Sequence, residues 1–295
     1  MGKLSGMSME IIPFSDGTGQ VQRLANFPSS YITPRHVDIW LPPGYTEQAE
    51  VRYPVLYMHD GQNLFDPALS YIGVDWGMDE AVLRWMEQTG RPGAIVVGVW
   101  NTPKRVQEYM PQRPLAAPGA ELALKLFVKR TGGMPCSDAY LRFLVAELKP
   151  FVDAHYRTLP NRTHTCVMGS SMGGLISLYA LCEYPQVYGG AGCISTHWPI
   201  GGKRLVNAMG AALPRAEQHR LYFDFGTLTV DKTYEPFQQW MDRWGRAAGY
   251  RQGVDWLMRK FEGAEHSERA WRARVDLPVG FLLGVGRTHL NLPSC

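Results

Sequence analysis

Cys166-Val167-Met168-Gly169-Ser170-Ser171-Met172-Gly173-Gly174 is a short apolar run that breaks into a glycine-flanked serine and then into a helical pattern. A strand turning straight into a helix can lift one side chain above a sheet only where almost nothing stands two residues before and after it. Gly169 and Gly173 meet that requirement around Ser171. Leu175, Leu178, Tyr179 and Cys182 then follow the i, i+3, i+4, i+7 spacing of a helix face, and Tyr184-Pro185 stops it. The start of that helix aims free N–H groups and a partial positive charge at the serine, so Ser171 is the candidate nucleophile. A glycine-rich dinucleotide loop is the competing reading. It needs G-x-G-x-x-G near the first strand and an acidic residue about twenty positions on, and neither is present.

Working outward, Val55 to Met58, Ala94 to Trp100, Thr165 to Met168 and Ala191 to Ile194 are apolar throughout, as expected of strands covered on both faces. Leu221 to Phe225 and Val254 to Met258 add two more. Val37, Ile39 and Leu41 alternate with their neighbours before Pro42-Pro43, which reads as a strand near a sheet edge with one buried face. Helices are expected over Asp79 to Gln88, Ala139 to His155, Leu175 to Glu183 and Pro236 to Ala248. This alternation predicts an α/β fold: a mostly parallel twisted sheet with helices on both faces, a three-layer α/β/α sandwich. With no linker and no internal repeat, residues 1–295 read as one domain. Ala116 to Gly133, rich in Pro, Gly, Ala and Leu, departs from the alternation. It marks an insertion within residues 111–138, a lid or rim over one end of the sheet.

A serine hydroxyl is a weak nucleophile near neutral pH, so it needs a base within hydrogen-bond reach and a carboxylate to orient that base. On a sheet of this kind the acid and then the histidine follow the serine in the chain. Of eight histidines, His197, His219, His266 and His289 come after Ser171. His266 lies in the polar loop Glu262-Gly263-Ala264-Glu265-His266, just past the last strand, and is the candidate base. His197 precedes any acid in the required order and reads as a rim or substrate contact, while His219 and His289 read as solvated. Asp231 lies beyond the Leu221 to Phe225 strand and is the candidate acid, with Glu235 and Asp224 as alternatives; a helix cap near Pro236 is its other reading. An oxyanion hole takes one N–H from the residue after the nucleophile, Met172, and one from the loop after an early strand, at Gln62 or Gly61.

The 295 residues are 45% hydrophobic and 19% charged, which permits a sizeable core and excludes disorder as the main state. Thirty basic against 27 acidic residues leave +3, too little for a nucleic-acid or polybasic membrane partner, so the expected partner is a small molecule. Cys136, Cys166, Cys182, Cys193 and Cys295 form no C-x-x-C pair, and no metal or organic cofactor is expected. The opening MGKLSGMSMEIIPFS has no signal-peptide core, and no segment reaches eighteen uninterrupted apolar residues. A soluble cytoplasmic protein is the expectation if Met1 is the native start. Gly6 breaks the myristoylation pattern and Cys295 is misplaced for prenylation.

Five stretches taken in order carry a resemblance. They are Val37-Asp38-Ile39-Trp40-Leu41-Pro42-Pro43-Gly44-Tyr45, Tyr53 to Phe65, Gly169 to Gly174, Phe225-Gly226-Thr227 with Asp231, and His266-Ser267-Glu268 before Trp271. Together they resemble the esterase family of the α/β-hydrolase superfamily that includes esterase D, enterochelin esterase, bacterial feruloyl esterases and the mycolyltransferases. The resemblance implies an α/β-hydrolase fold, a Ser171-Asp231-His266 triad, a second oxyanion donor near Gln62 and cleavage of a carboxylic ester through an acyl-enzyme. Two departures limit it. Enterochelin esterases of the larger type carry a separate preceding domain, whereas here the first family-like strand begins before residue 40; feruloyl esterases and mycolyltransferases are exported, and no export signal is seen. Asn101 and Trp198 follow strands on the same edge as Ser171 and are expected to rim the pocket, strand-end turns and core aromatics being the alternative. An acyltransferase or thioesterase working through the same acyl-enzyme, and a catalytically silent binding module, are the rival functions.

Overall fold

Alternate residues of the strand Val55–His59 enter two different cores: Val55 and Tyr57 one, Leu56 and Met58 the other. Both faces of that strand are dry, which explains why its sequence is apolar without alternation. The structure, a computed structural model, describes residues 8–13 and 19–284. Its strands are β1 (Ser8–Pro13), β2 (Gln20–Phe27), β3 (Arg35–Leu41), β4 (Val55–His59), β5 (Ile95–Val99), β6 (Thr165–Ser170), β7 (Gly190–Ile194), β8 (Arg220–Gly226) and β9 (Trp256–Phe261). They form one sheet in the order β1-β2-β3-β5-β4-β6-β7-β8-β9. From β5 to β9 every pairing is parallel, and β1, β2 and β3 join antiparallel.

The helices are α1 (Met78–Thr89), α2 (Arg105–Tyr109), α3 (Gln112–Ala116), α4 (Glu121–Thr131), α5 (Ser137–Phe143), α6 (Lys149–His155), α7 (Met172–Glu183), α8 (Gly202–Ala211), α9 (Glu235–Ala247), α10 (Glu268–Arg272) and α11 (Asp276–Leu283). Residues of α5 to α9 fill one core, including Tyr140, Val152, Ile176, Leu205 and Met241. Those of α1, α10 and α11 fill the other, including Val82, Trp271 and Leu282. The expected α/β/α layering of an α/β-hydrolase fold is therefore present. Helix α7 is buried nearly all round, as its apolar sequence requires.

Some expectations need correcting. Strand β3 is not at the edge: β1 and β2 lie outside it, and six of its seven residues are buried. These outer strands mix polar and apolar residues without a sustained apolar run, so hydrophobic patterning does not reveal them. The last strand starts at Trp256 instead of Val254, because the backbone turns where Val254, Asp255 and Trp256 all donate to the Arg251 carbonyl. The Ala139 to His155 helix begins earlier, at Ser137, and contains a π-helical turn over Leu144–Leu148 between α5 and α6. The segment read as an insertion contains α3 and α4. No helix among the described residues is long and apolar enough to cross a membrane.

Candidate active site

Ser171 has φ 57° and ψ −119°, a backbone state that costs a non-glycine residue about 1–3 kcal/mol and persists only where its surroundings enforce it. They do so here by hydrogen bonds: its N–H donates to the Ile194 carbonyl, and its carbonyl accepts from the N–H of His197 and Leu175. A Cβ on Gly169 would lie 2.9 Å from the Gly173 backbone, so the bend tolerates nothing larger there. Asp60 (φ 60°) and Ser195 (φ 41°) also have positive φ. All three follow the C-terminal ends of neighbouring strands, β4, β6 and β7.

Asp231 sits in a single-turn helix, Thr229–Thr233, directly after β8, and its side chain is fully buried. One carboxylate oxygen is 2.6 Å from His266 Nδ1. The other accepts from Ser195 Oγ at 2.6 Å and from the Gly226 N–H at 2.7 Å. Burial pushes the Asp231 carboxyl up, but the hydrogen bonds from His266, Ser195 and Gly226 outweigh it and hold the group below the usual carboxylate range. Ser195 Oγ in turn accepts from Trp271 Nε1 (3.1 Å) and Arg274 Nη2 (3.0 Å), which fixes its proton toward Asp231. The alternative acids are engaged elsewhere. Asp224 is clamped by two nitrogens of Arg274 and by the Tyr222 hydroxyl, and Glu235 pairs with Lys260.

The backbone N–H of His266 donates to Thr229 Oγ1 (2.8 Å), and its ring stands edge-on to Trp271 at 4.9 Å and to Tyr234 at 5.9 Å. With Nδ1–H directed at Asp231, the Nε2 lone pair is free to accept a proton. Asp231 and His266 are thus in direct contact. Ser171 and His266 instead share a neighbour: the Ser171 side chain is close enough to the Tyr234 phenol to act on its ionisation, and the Tyr234 ring packs on His266. On its other side the Tyr234 hydroxyl is hydrogen-bonded with His197 Nδ1 at 2.6 Å. Burial lowers the His197 pKa to about 4, with Arg130 and Arg105 adding to the shift, so its ring is neutral. Catalytic hydrogen bonds often tighten only with substrate bound.

The N–H groups of Met172 and Gln62 lie in first helical turns, where no intrahelical carbonyl is in register to receive them. Gln62 belongs to the turn Gly61–Asn63, which follows Asp60. Arg105 grips both Asp60 oxygens at 2.7 Å, and Asn101 Nδ2 adds a bond of 2.6 Å. Burial raises the Asp60 pKa, yet Arg105 and then Asn101 bring it below its ordinary value. A Cβ on Gly61 would lie 2.4 Å from the Gly98 backbone, so this loop seats directly on β5.

The two expected rim residues do other work. Asn101 ties down this loop through Asp60 and through its own N–H to Gln62 Oε1 (3.2 Å). Trp198 is fully buried, stacks on Phe223 and gives its indole N–H to Gln238. It is a core residue because the turn after β7 folds back under α9. His219, expected in solvent, is 5% exposed, its ring nitrogens on the Arg215 and Pro185 carbonyls. His289 and Cys295 lie outside the described residues. Tyr234, Ser195 and Arg105 were not singled out in the sequence. Only the three-residue spacing of Tyr234 from Asp231, one helical turn, offered a signal.

A sequence model of the family described as "Putative esterase" matches residues 29–276. The Bacillus subtilis (strain 168) protein YbbA, described as uncharacterized, is 26% identical over 165 residues; the match covers 56% of this chain and 58% of that protein. Among solved structures, an IroE-like serine hydrolase from Shewanella oneidensis superposes with a TM-score of 0.65 at 18% identity, covering 90% of this chain and 79% of that one. A ferulic acid esterase from Anaeromyces mucronatus, solved with ferulic acid, gives 0.59 at 17% identity over 96% and 93%. The enterobactin and salmochelin hydrolase IroE gives 0.58 at 15% identity over 96% and 98%. At these identities the structures are similar in fold.

Proposed function

Because the chain belongs to that esterase family, we propose that it hydrolyses carboxylic esters of small molecules in two steps, with Ser171 as nucleophile, His266 as base and Asp231 as the orienting acid. The observation that carries this reading is the 2.6 Å contact between buried Asp231 and His266 Nδ1, beside a serine strained at a strand-to-helix bend. His266 Nε2 takes the Ser171 proton as Oγ attacks the ester carbonyl, and the carbonyl oxygen gains negative charge between the Met172 and Gln62 N–H groups. The C–O bond to the alcohol then breaks, with the proton passing from His266 to the leaving oxygen. That leaves an acyl group on Ser171. Water, deprotonated by the same imidazole, attacks this acyl-enzyme and releases the acid.

The test is turnover of p-nitrophenyl acetate together with labelling by a fluorophosphonate. The parent protein is expected to hydrolyse the ester and to acquire the label at Ser171. Ser171→Ala should lose both, with kcat down by about 10⁶-fold where the nucleophile is fully engaged. Parent-like turnover by Ser171→Ala would refute the assignment.

A further inference from the structure

A groove of about 560 Å³ opens between the helices of residues 105–131 and the turn after β7. It starts beside the bend, at Met172 and His197, and runs between Met110, Leu115 and Phe127. Its size falls in the range that encloses most of a drug-sized ligand. The lining is predominantly apolar and contains no Asp or Glu; Arg130 is its one charged side chain. None of the ion pairs among the described residues involves Arg130. Arg130 is near enough to the site for its charge to act on His197. Leu126, one helical turn before it, lines the same groove while 58% exposed, so an occupant would remove apolar surface from water.

We propose that this groove holds the larger, apolar part of the ester, and that this part carries an anionic group paired by Arg130. The proposal rests on the hydrolase reading above and adds a substrate class to it: esters of medium-length or aromatic acids with a second, ionised group. A guanidinium lining an apolar groove fits that class, since it supplies the bidentate charged partner a carboxylate needs on leaving water. An acetyl group is too small to fill the space, so the groove contributes to transition-state binding only when a longer chain occupies it.

The experiment compares kcat/KM for p-nitrophenyl acetate, hexanoate and heptanoate with the p-nitrophenyl monoesters of adipate and pimelate, after subtracting uncatalysed hydrolysis. The expected result is a rise of tenfold or more from acetate to hexanoate. The monoester is expected to match or exceed the neutral ester of equal chain length. Arg130→Gln should lower the monoester-to-neutral ratio about tenfold, with Arg130→Lys restoring part of it, and Ala123→Trp should lower the hexanoate-to-acetate ratio. Acetate turnover with no chain-length dependence, or a monoester ratio that Arg130→Gln leaves unchanged, overturns the proposal alone. Failure to turn over any ester, acetate included, removes the hydrolase reading and this proposal with it.

Discussion

Two buried aspartates flank the bend at Ser171, one after β4 and one after β8, and both carboxyls are held below their ordinary pKa. Asp60 faces Arg105, whose guanidinium never releases its proton at accessible pH, so the pair is a fixed clamp on the Gly61–Asn63 turn. Asp231 faces His266 and is otherwise solvated by neutral donors, Ser195 and Gly226. The same residue type at equivalent strand ends therefore serves different ends. What separates them is whether the partner can exchange a proton near neutrality.

The sharpest way to break this comparison is to remove one charged partner from each pair. Asp231→Asn should lower kcat on p-nitrophenyl acetate by about 10⁴-fold, because an amide no longer enforces the Nδ1–H tautomer of His266. Kinetics on the folded variant would show it. Arg105→Met, which leaves Asp60 without its cation, should cost about 10- to 100-fold in kcat through a loosened oxyanion loop, together with lower thermal stability. A loss as large as that of Asp231→Asn would place Asp60 in the proton-transfer machinery. Tyr234→Phe removes the hydroxyl bonded to His197 and should change kcat by about tenfold or less, since one neutral hydrogen bond beside the nucleophile is exchanged for water. A much larger loss, with an altered pH profile, would make the phenol a proton carrier.

The remaining expected effect is on stability against pH and leaves the chemistry at neutral pH untouched. Burial lowers His59 to about 3 and His197 to about 4, so both are neutral in the native protein where unfolded histidine begins to protonate, near 6.5. The unfolded state then binds more protons as pH falls. Stability is complete above about pH 6.5 and declines from there toward the folded values, by at most about 1.4 kcal/mol per pH unit for each histidine. Denaturant midpoints at pH 7 and pH 5 would measure the slope, and His197→Gln should reduce it. An unchanged slope in that variant would assign the pH dependence to other groups.

Much of the sheet was legible because its strands are buried on both faces, and a doubly covered strand must be apolar at every position. Strands β4 to β8 announce themselves for that reason. The outer strands β1 and β2 do not, since polar and apolar residues are mixed along them, with Met9 and Ile11 exposed, and nothing in the local pattern separates them from loop. The bend at Ser171 was legible from glycine spacing together with the apolar run before it and the helical pattern after it. Asp231 and His266 could be chosen by order and by position after a strand, which says that they reach the same edge but not that they touch. Asn101 and Trp198 share that position and went elsewhere.

The chain by itself determined the layered α/β architecture and the bend at Ser171, because hydrophobic patterning and glycine sterics act within a few residues. Only the tertiary structure decided which of Asp224, Asp231 and Glu235 meets His266, that the Tyr234 hydroxyl bonds to His197, and that residues 105–131 frame an apolar groove with Arg130 at its side. Those choices depend on hydrogen bonds and charges brought together from segments far apart in sequence. Their energies are set by burial and mutual distance, and neither exists before the sheet has closed around them.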